Sequence, residues 1–488
     1  MNIYFQHYWS LFIDFIEDFK EVEYKGIPLP LLSTFQIYID DKLNYQMKDQ
    51  SFSKILRNKI QNEYQIQPSF DYYLNSIGNK SKSCDLNKGL GKIVIHEGDL
   101  LRFPNEYLRN FEKKKTILLV STEVRKKKIQ NHLKNLRGIT SVDLLSNYRS
   151  NVRELEKTLV TKAQSIFSKY NSHPVYSNIN FSNKFIEDIP KMISLLAAYE
   201  NYFDKVSISG VVVGNTSGMY SRILTIIARS KGIPSICTQH GIIGNELGYL
   251  PIFASIHAVF GHYEKKWYRK QGVEESCLEI TGHPRFDCIY TNQRMPKKDF
   301  IKELGIDHKK KLVFVPTNMT RDIKAIDEFI KLLIKNPEIT VIIKAHPSEI
   351  IRLGVKAYER LSLVTNSVKL VKTIDLYDIL VNVDLVVQEL STVGLEAMLF
   401  EKPVFFLHKQ SYFETNDRYY YEGMSEFSHY NPAILKDMIN DFFTNQQMQI
   451  KYKKIRKEFL DDAYPQLLSG QKIGDLIYKT TGVKVYSQ

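Results

Sequence analysis

From residue 92 the chain alternates short apolar runs with longer amphipathic ones, and after a polar, proline-bearing stretch at Pro284–Lys298 the same alternation starts afresh. A doubled strand–helix rhythm admits few folds, because strands separated by helices pair in parallel and have both faces of their sheet covered. In the first round KIVIHEG, TILLVST, SVDLLS, SISGVVVGN, IPSICTQ, HAVFG and LEITG read as strands, with helices near 151–170 and 182–203, at Met219–Lys231 and at Tyr263–Gln271. In the second, LVFVPT, ITVIIKA, VKLVK, DLVVQE and PVFFL read as strands, with helices at Ile323–Lys335, Leu376–Val381, Thr392–Phe400 and near 433–446 and 449–463. The expected class is α/β, with two Rossmann-like domains facing across a cleft and an N-terminal helical and irregular extension. The expected boundaries are 1–88 for the extension, 89–290 and 291–465 for the two domains, and 466–488 for a C-terminal tail. Sheets of this kind take ligands at the carboxyl ends of their strands.

A chain of 488 residues with 43% hydrophobic and 25% charged residues is globular and long enough for more than one core. No apolar run reaches the roughly 18 residues of a membrane span, and the N-terminus lacks a basic, apolar and cleavable leader, so a cytoplasmic protein is expected. Phe5, Tyr8, Trp9, Phe12, Phe15, Ile16 and Phe19 fall at helical spacing, while Asp14, Glu17 and Asp18 on the polar side would be repelled by an anionic bilayer. That helix is expected to pack on the body of the protein. Cys84, Cys237, Cys277 and Cys288 form no paired motif and read as reduced thiols.

The net charge of +13 favours an anionic partner. The basic runs Lys113–Lys115, Arg125–Lys128 and Lys309–Lys311 read as solvated turns, and the loop Lys80–Gly91 joins the extension to the first domain. With 30 Tyr and 27 Phe but no strand of the kind that stacks RNA bases, no nucleic-acid partner is expected.

Two histidines follow strands in different domains: His240 in TQHGIIGNE and His346 in IIKAHPSE. Imidazole accepts a proton near neutral pH, as a general base must. Gly241 and Gly244 permit a turn whose N–H groups approach a phosphate, or simply a tight bend. GVVVGNTSGMYS gives a strand followed by a polar, glycine-flanked helix start suited to an anion. Neither G-x-G-x-x-G nor G-x-x-x-x-G-K-[ST] occurs, which removes support for dinucleotide redox chemistry and for P-loop hydrolysis. In DLVVQELSTVGLEAMLFEKPVFFL, Ser391 and Thr392 start a helix as cap and hydroxyl donors, and Glu396 follows about one turn later, where a carboxylate can accept both hydroxyls of a ribose.

Taken together, strand-QHG, GHPRFD at Gly282–Asp287, KAHP at Lys344–Pro347 and ST-x3-E-A-x4-KPV at Ser391–Val404 resemble the GT-B glycosyltransferase superfamily over about residues 205–410. The nearest flavour is the bacterial capsule and teichoic-acid enzymes, including CDP-glycerol glycerophosphotransferases. The resemblance implies His240 as base or phosphate contact and His346, with Lys344, as a group binding the donor phosphates or assisting the leaving group. It also implies Ser391 and Thr392 on the pyrophosphate and Glu396 on the ribose. Where the glycerophosphotransferases carry Asp and a hydroxyl cluster, this chain reads Gln388-Glu389-Leu390-Ser391-Thr392, a departure that weighs against CDP-glycerol as donor. No Asp-x-Asp occurs, and no metal or cofactor is expected, since GT-B chemistry stabilises the leaving phosphate with helix dipole and cationic groups.

The expected function is transfer of a glycosyl group from a nucleotide-activated sugar to a glycan or lipid-linked acceptor hydroxyl in surface-polymer assembly. A lipid-linked acceptor would bring the protein to the inner face of the membrane. A CDP-glycerol-type glycerophosphotransferase is the second reading, a nucleotide-sugar 2-epimerase the third, and a non-enzymatic scaffold binding anionic polymer the fourth. The epimerase needs several acidic residues, for which Glu389 and Glu396 are the visible candidates.

Overall fold

The computed structural model describes every residue except 79–88, 99, 122–140, 318–322, 347–355, 410–419 and 487–488. The expected loop at 80–88, the basic run Arg125–Lys128, Cys84 and Pro347 therefore lie outside the described residues. The chain divides into two compact units: Met1–His240, Asn245–Arg285 and Gln466–Gln488 form the first, and Gly241–Gly244 with Phe286–Pro465 the second.

In the first unit a helix at Ile3–Asp18, capped by the Asn2 side chain on the Phe5 N–H, leads to a hairpin of β1 (Glu23–Tyr24) and β2 (Ile27–Pro28). Trp9, Phe15, Ile16 and Phe19 are fully buried, and Phe12 stacks on Phe35 at 4.4 Å. The polar side is covered as well. Asp14 is only 4% exposed because its carboxylate accepts the backbone N–H groups of Arg57 and Asn58 at 2.9 and 3.0 Å. The segment expected as a separate extension is thus part of the first unit, since its aromatic face needs partners such as Phe181 and Phe185 of the long helix Ile179–Lys205.

The first sheet contains β3 (Lys92–Glu97), β4 (Thr116–Val120), β5 (Ser141–Leu144), β6 (Ile208–Val213), β7 (Ser235–Thr238), β8 (Ile256–Val259) and β9 (Leu278–Ile280). Its order is β5-β4-β3-β6-β7-β8-β9, all parallel, so the order reverses between β3 and β6. Central strands with helices on both sides have no solvent face, and β4, β6 and β7 are buried along their whole length.

The residues expected as a tail are a correction. Ser469–Thr481 is a helix whose Ile473, Leu476 and Ile477 enter the first unit's core beside Ile93, Leu118 and Val212, and Val485 accepts the Glu112 N–H at 2.8 Å. The apolar spacing i, i+3, i+4 gives the helix one face that must be buried.

The second sheet contains β10 (Lys311–Pro316), β11 (Ile339–Lys344), β12 (Val368–Leu370), β13 (Leu385–Gln388), β14 (Val404–Leu407) and the short β15 (Ser428–His429). Its order is β12-β11-β10-β13-β14-β15, again parallel, with the reversal between β10 and β13. Helices at Pro432–Thr444 and Gln446–Ala463 complete the unit.

His257, inside β8, is 5% exposed with no hydrogen-bond partner for Nε2, and burial lowers its pKa to about 3. The unfolded chain therefore takes up a proton near pH 6.5 that the fold refuses, so stability falls as pH falls below that point. His257→Phe is expected to flatten the stability–pH slope between about pH 6.5 and 5, by up to ~1.4 kcal/mol per pH unit. Denaturant midpoints measured across that window check this, and an unchanged slope would refute it.

Candidate functional site

In the first unit four strand ends supply the groups that matter. After β3 the chain makes a strained bend, with Leu100 at φ 65° and Arg102 at φ 53°, values that side chains with a Cβ rarely adopt. The bend is pressed against the end of β6, where a Cβ on Gly214 would lie 2.2 Å from both Cα and N of Leu101. After β9, His283 is fully buried; its Nδ1 accepts the Arg285 N–H at 3.1 Å, so its Nε2–H donates to the Leu101 carbonyl at 3.0 Å. Burial first, and then the Arg285 charge, keep this imidazole neutral, with a pKa well below its ordinary value.

His240 follows β7. Its half-buried ring lies flat on Tyr249, 4.7 Å between centroids and 8° between planes, and its carbonyl accepts from Arg102 Nη1 at 3.3 Å. Burial, then the charges of Arg102 and Arg285, lower its pKa to about 3. The preceding Gln239 is structural: Nε2 donates to Glu264 at 3.1 Å and Oε1 accepts the Phe260 N–H at 3.0 Å. This ties the end of β7 to the turn after β8. The polar loop after β6 is wrapped around Arg222, whose buried guanidinium donates to the carbonyls of Thr216 and Ser217 at 3.0 and 3.1 Å. The sequence pattern that suggests an anion site at that helix start gives no sign of this cation, whose donors are turned to the loop's own carbonyls.

In the second unit the helix Thr392–Leu399 leaves the carboxyl end of β13. Ser391 is its N-cap and accepts the Val393 N–H at 3.3 Å. Tyr421 Oη donates to the Ser391 carbonyl at 2.5 Å and accepts the Leu395 N–H at 2.9 Å. The Gly394 N–H goes to the Ser391 carbonyl at 3.2 Å. Three of the first four N–H groups thus have acceptors inside this unit, and what the helix start presents is its dipole and two hydroxyls. A Cβ on Gly394 would fall 2.1 Å from Gln388 Nε2, so a side chain there requires the buried Gln388 amide to shift.

Thr392 Oγ1 accepts the Ile242 N–H at 3.2 Å, which anchors the segment Gly241–Gly244. Neither of its glycines has positive φ, and a Cβ on Gly244 would make only ordinary contact with Leu390 at 3.5 Å. Glu396, one turn along, is 6% exposed and accepts the Tyr377 hydroxyl at 3.0 Å; Tyr377 lies under the Arg294 guanidinium at 5.0 Å. Lys344, at the end of β11, donates to the carbonyls of Lys372 and Ile374 at 3.2 and 2.8 Å, and burial lowers its pKa. His346 lies two residues further on and is exposed. Beside the helix start, the ends of β10, β13 and β14 enclose a narrow apolar crevice that includes Glu389 and His408, whose pKa burial lowers to about 4.

The second unit therefore brings His346, Lys344, Ser391, Thr392 and Glu396 to one edge of its sheet, and the first brings His240 to the equivalent edge of its own. The sequence reading assigns no role to Arg102, Arg285, His283, Tyr249 or Tyr377, which stand beside these groups. Only GHPRFD, which holds two of them, gave a sequence signal. Among the described residues no group of three or more His, Cys, Asp or Glu side chains could hold a metal ion. No helix among them is long and apolar enough to cross a membrane.

Residues 260–477, just under half of the chain, match the family model of CDP-Glycerol:Poly(glycerophosphate) glycerophosphotransferase. No curated protein matches the chain. Among solved structures, a putative UDP-N-acetylglucosamine 2-epimerase from Listeria monocytogenes is similar at 12% identity and TM-score 0.52, over 81% of this chain and 98% of that one. UDP-GlcNAc 2-epimerase from Neisseria meningitidis bound to UDP-GlcNAc is similar at 13% identity and TM-score 0.51, over 80% and 100%. The S. aureus MnaA–UDP structure gives 12% and 0.51, over 82% and 99%. At such identities the likeness is one of fold, and it agrees with the two reversed-order parallel sheets.

Proposed function

We propose that this GT-B glycosyltransferase-like protein moves a group from a nucleotide-activated donor to an acceptor hydroxyl in cell-surface polymer synthesis, the donor being a nucleotide sugar in the first reading. The observation that carries the proposal is the second unit's strand–cap–helix. Its hydroxyls and dipole at Ser391 and Thr392 stand one turn from the buried carboxylate of Glu396. Such an arrangement suits a pyrophosphate at the helix start and a ribose one turn along. Lys344 and the exposed His346 on the same edge add groups for the phosphate oxygens. The acceptor falls to the first unit, where Arg102 and Arg285 flank a neutral His240 able to take the hydroxyl proton.

CDP-glycerol as donor is the second reading, supported by the match over residues 260–477 and by the two arginines, since phosphoryl transfer depends on cations at the equatorial oxygens. The two differ in which bond breaks. Attack at an anomeric carbon releases a nucleoside diphosphate, whereas attack at the distal phosphorus of CDP-glycerol releases CMP. Following nucleotide products with each donor, with and without acceptor, decides between them. Acceptor-independent turnover of the sugar would instead support an epimerase, and no turnover with any donor would overturn the proposal. The reaction is proposed to be metal-independent, and the same assay in excess EDTA tests that: loss reversed by magnesium would refute it.

Glu396→Gln keeps an oxygen for the Tyr377 hydroxyl but removes the charge. Nucleotide affinity is expected to weaken by about 1.5–3 kcal/mol, the worth of a hydrogen bond to a charged group, with melting temperature unchanged. Calorimetric titration measures it, and unaltered affinity would remove the ribose role.

A further inference from the structure

The carboxyl edge of the first sheet carries His240, but the opposite edge is also built. A crevice of about 650 Å³ opens there, between the segments that lead into β3, β4 and β6 and the turn that follows the C-terminal helix. Lys92, Lys114, Lys115, Lys205 and Lys484 line it, against a single acidic residue among the described ones, Asp143. That carboxylate is already used: it accepts the Leu144 N–H at 2.8 Å and the Tyr148 hydroxyl at 2.7 Å. Lys115 pairs with Glu112 at 3.0 Å, and Lys205 stands over the Tyr148 ring at 5.9 Å. Lys92, Lys114 and Lys484 have no ion pair with any carboxylate among the described residues. Several ammonium groups held around one concave space repel one another, and an occupant with more than one negative charge relieves that repulsion.

We propose that this crevice binds a linear polyol phosphodiester, a stretch of the anionic surface polymer at a distance from its reacting end. The identity of the polymer rests on the function proposed above, whereas the crevice does not. Among the described residues no aromatic side chain lines it, so bases find no stacking platform there, which disfavours a nucleic acid. A recessed space also fits a chain better than a flat bilayer. The strands between the two edges are up to six residues long, so the crevice lies roughly 20 Å from the His240 edge. A polymer gripped there would stay bound between additions.

The test uses the full-length protein without donor and an end-labelled poly(glycerol phosphate) oligomer in a fluorescence-anisotropy titration across salt concentrations. The triple variant Lys92→Gln, Lys114→Gln, Lys484→Gln is compared with wild type and with Lys302→Gln, Lys453→Gln, Lys472→Gln, which removes the same charge elsewhere. The crevice variant is expected to bind about tenfold more weakly, and its log-affinity slope against log salt to flatten by roughly 2, as for three lost contacts with a flexible polyanion. Its melting temperature should stay at the wild-type value, and the control triple should behave as wild type.

Equal loss in both triples would reduce the effect to net charge and overturn the site. So would an unchanged crevice variant, or wild type that fails to bind the oligomer while still binding nucleotide. Lysine-dependent binding that is tighter to phosphatidylglycerol vesicles or to a single-stranded oligonucleotide would overturn the occupant. Failure of nucleotide binding with oligomer binding intact would count against the transferase reading and leave the crevice standing.

Discussion

Replacing His240 by alanine is expected to lower kcat by roughly 10²–10⁴-fold, with donor affinity and melting temperature near wild type. The ring rests on Tyr249 at the surface end of β7 and fills no core position, so its loss removes chemistry more than packing. In the free protein, burial and the charges of Arg102 and Arg285 hold its pKa at about 3, which makes the imidazole neutral but a poor proton acceptor. An anionic acceptor bound beside the two arginines offsets those charges and raises the pKa toward its ordinary value. A base works only when deprotonated, so activity falls as pH falls through its pKa. Since kcat/KM reports the free enzyme and kcat the complex, the acid limb of kcat should lie at higher pH than that of kcat/KM, and the difference should vanish in His240→Ala. Lost donor affinity with kcat little changed would make His240 a phosphate contact. Activity falling only in proportion to a lowered melting temperature would make it structural.

That the strand–cap–helix around Ser391 could be read from the sequence while His240's surroundings could not has a physical cause. Ser391, Thr392 and Glu396 belong to one short strand–cap–helix, and cap chemistry and helical spacing act over a few residues, so the text itself carries the geometry. The same holds for both sheets, whose strands are continuous apolar runs because both faces are covered. Arg102 obeys no local rule. It sits at positive φ in a bend whose shape depends on β3 pairing with β6, more than 100 residues away, and on a histidine after β9. Gln239 looked like half of a Gln-His-Gly signature, yet its amide is spent on Glu264 and Phe260. The helix Ser469–Thr481 reads as a tail although Ile473, Leu476 and Ile477 carry the helical spacing; what the text lacks is any sign that the chain returns to the first unit.

Gly214 offers the sharpest test of that long-range arrangement. A methyl group there would sit 2.2 Å from two backbone atoms of Leu101 and 2.5 Å from the Leu100 carbonyl carbon, so no rotamer change relieves it and one of the two loops must move. The β6 end is fixed by its pairing with β3 and β7, and the bend after β3 already carries two side chains at positive φ. The bend should give way, breaking the His283–Leu101 hydrogen bond and withdrawing Arg102 from the His240 carbonyl. Gly214→Ala is therefore expected to destabilise the first unit by about 1–3 kcal/mol, the usual range for forcing atoms into a packed site. For a unit of this size that corresponds to a fall of roughly 2–4 °C in melting temperature per kcal/mol. Turnover should fall further than unfolding explains, by roughly 10²-fold at a temperature where the variant is fully folded, because the cations beside His240 are displaced. Nucleotide affinity, which the proposed function assigns to the second unit, should be unchanged. Melting by circular dichroism, single-turnover rates and nucleotide titration on the same preparation separate these effects, and a variant with wild-type melting temperature and rate would show that the bend is not held by the end of β6.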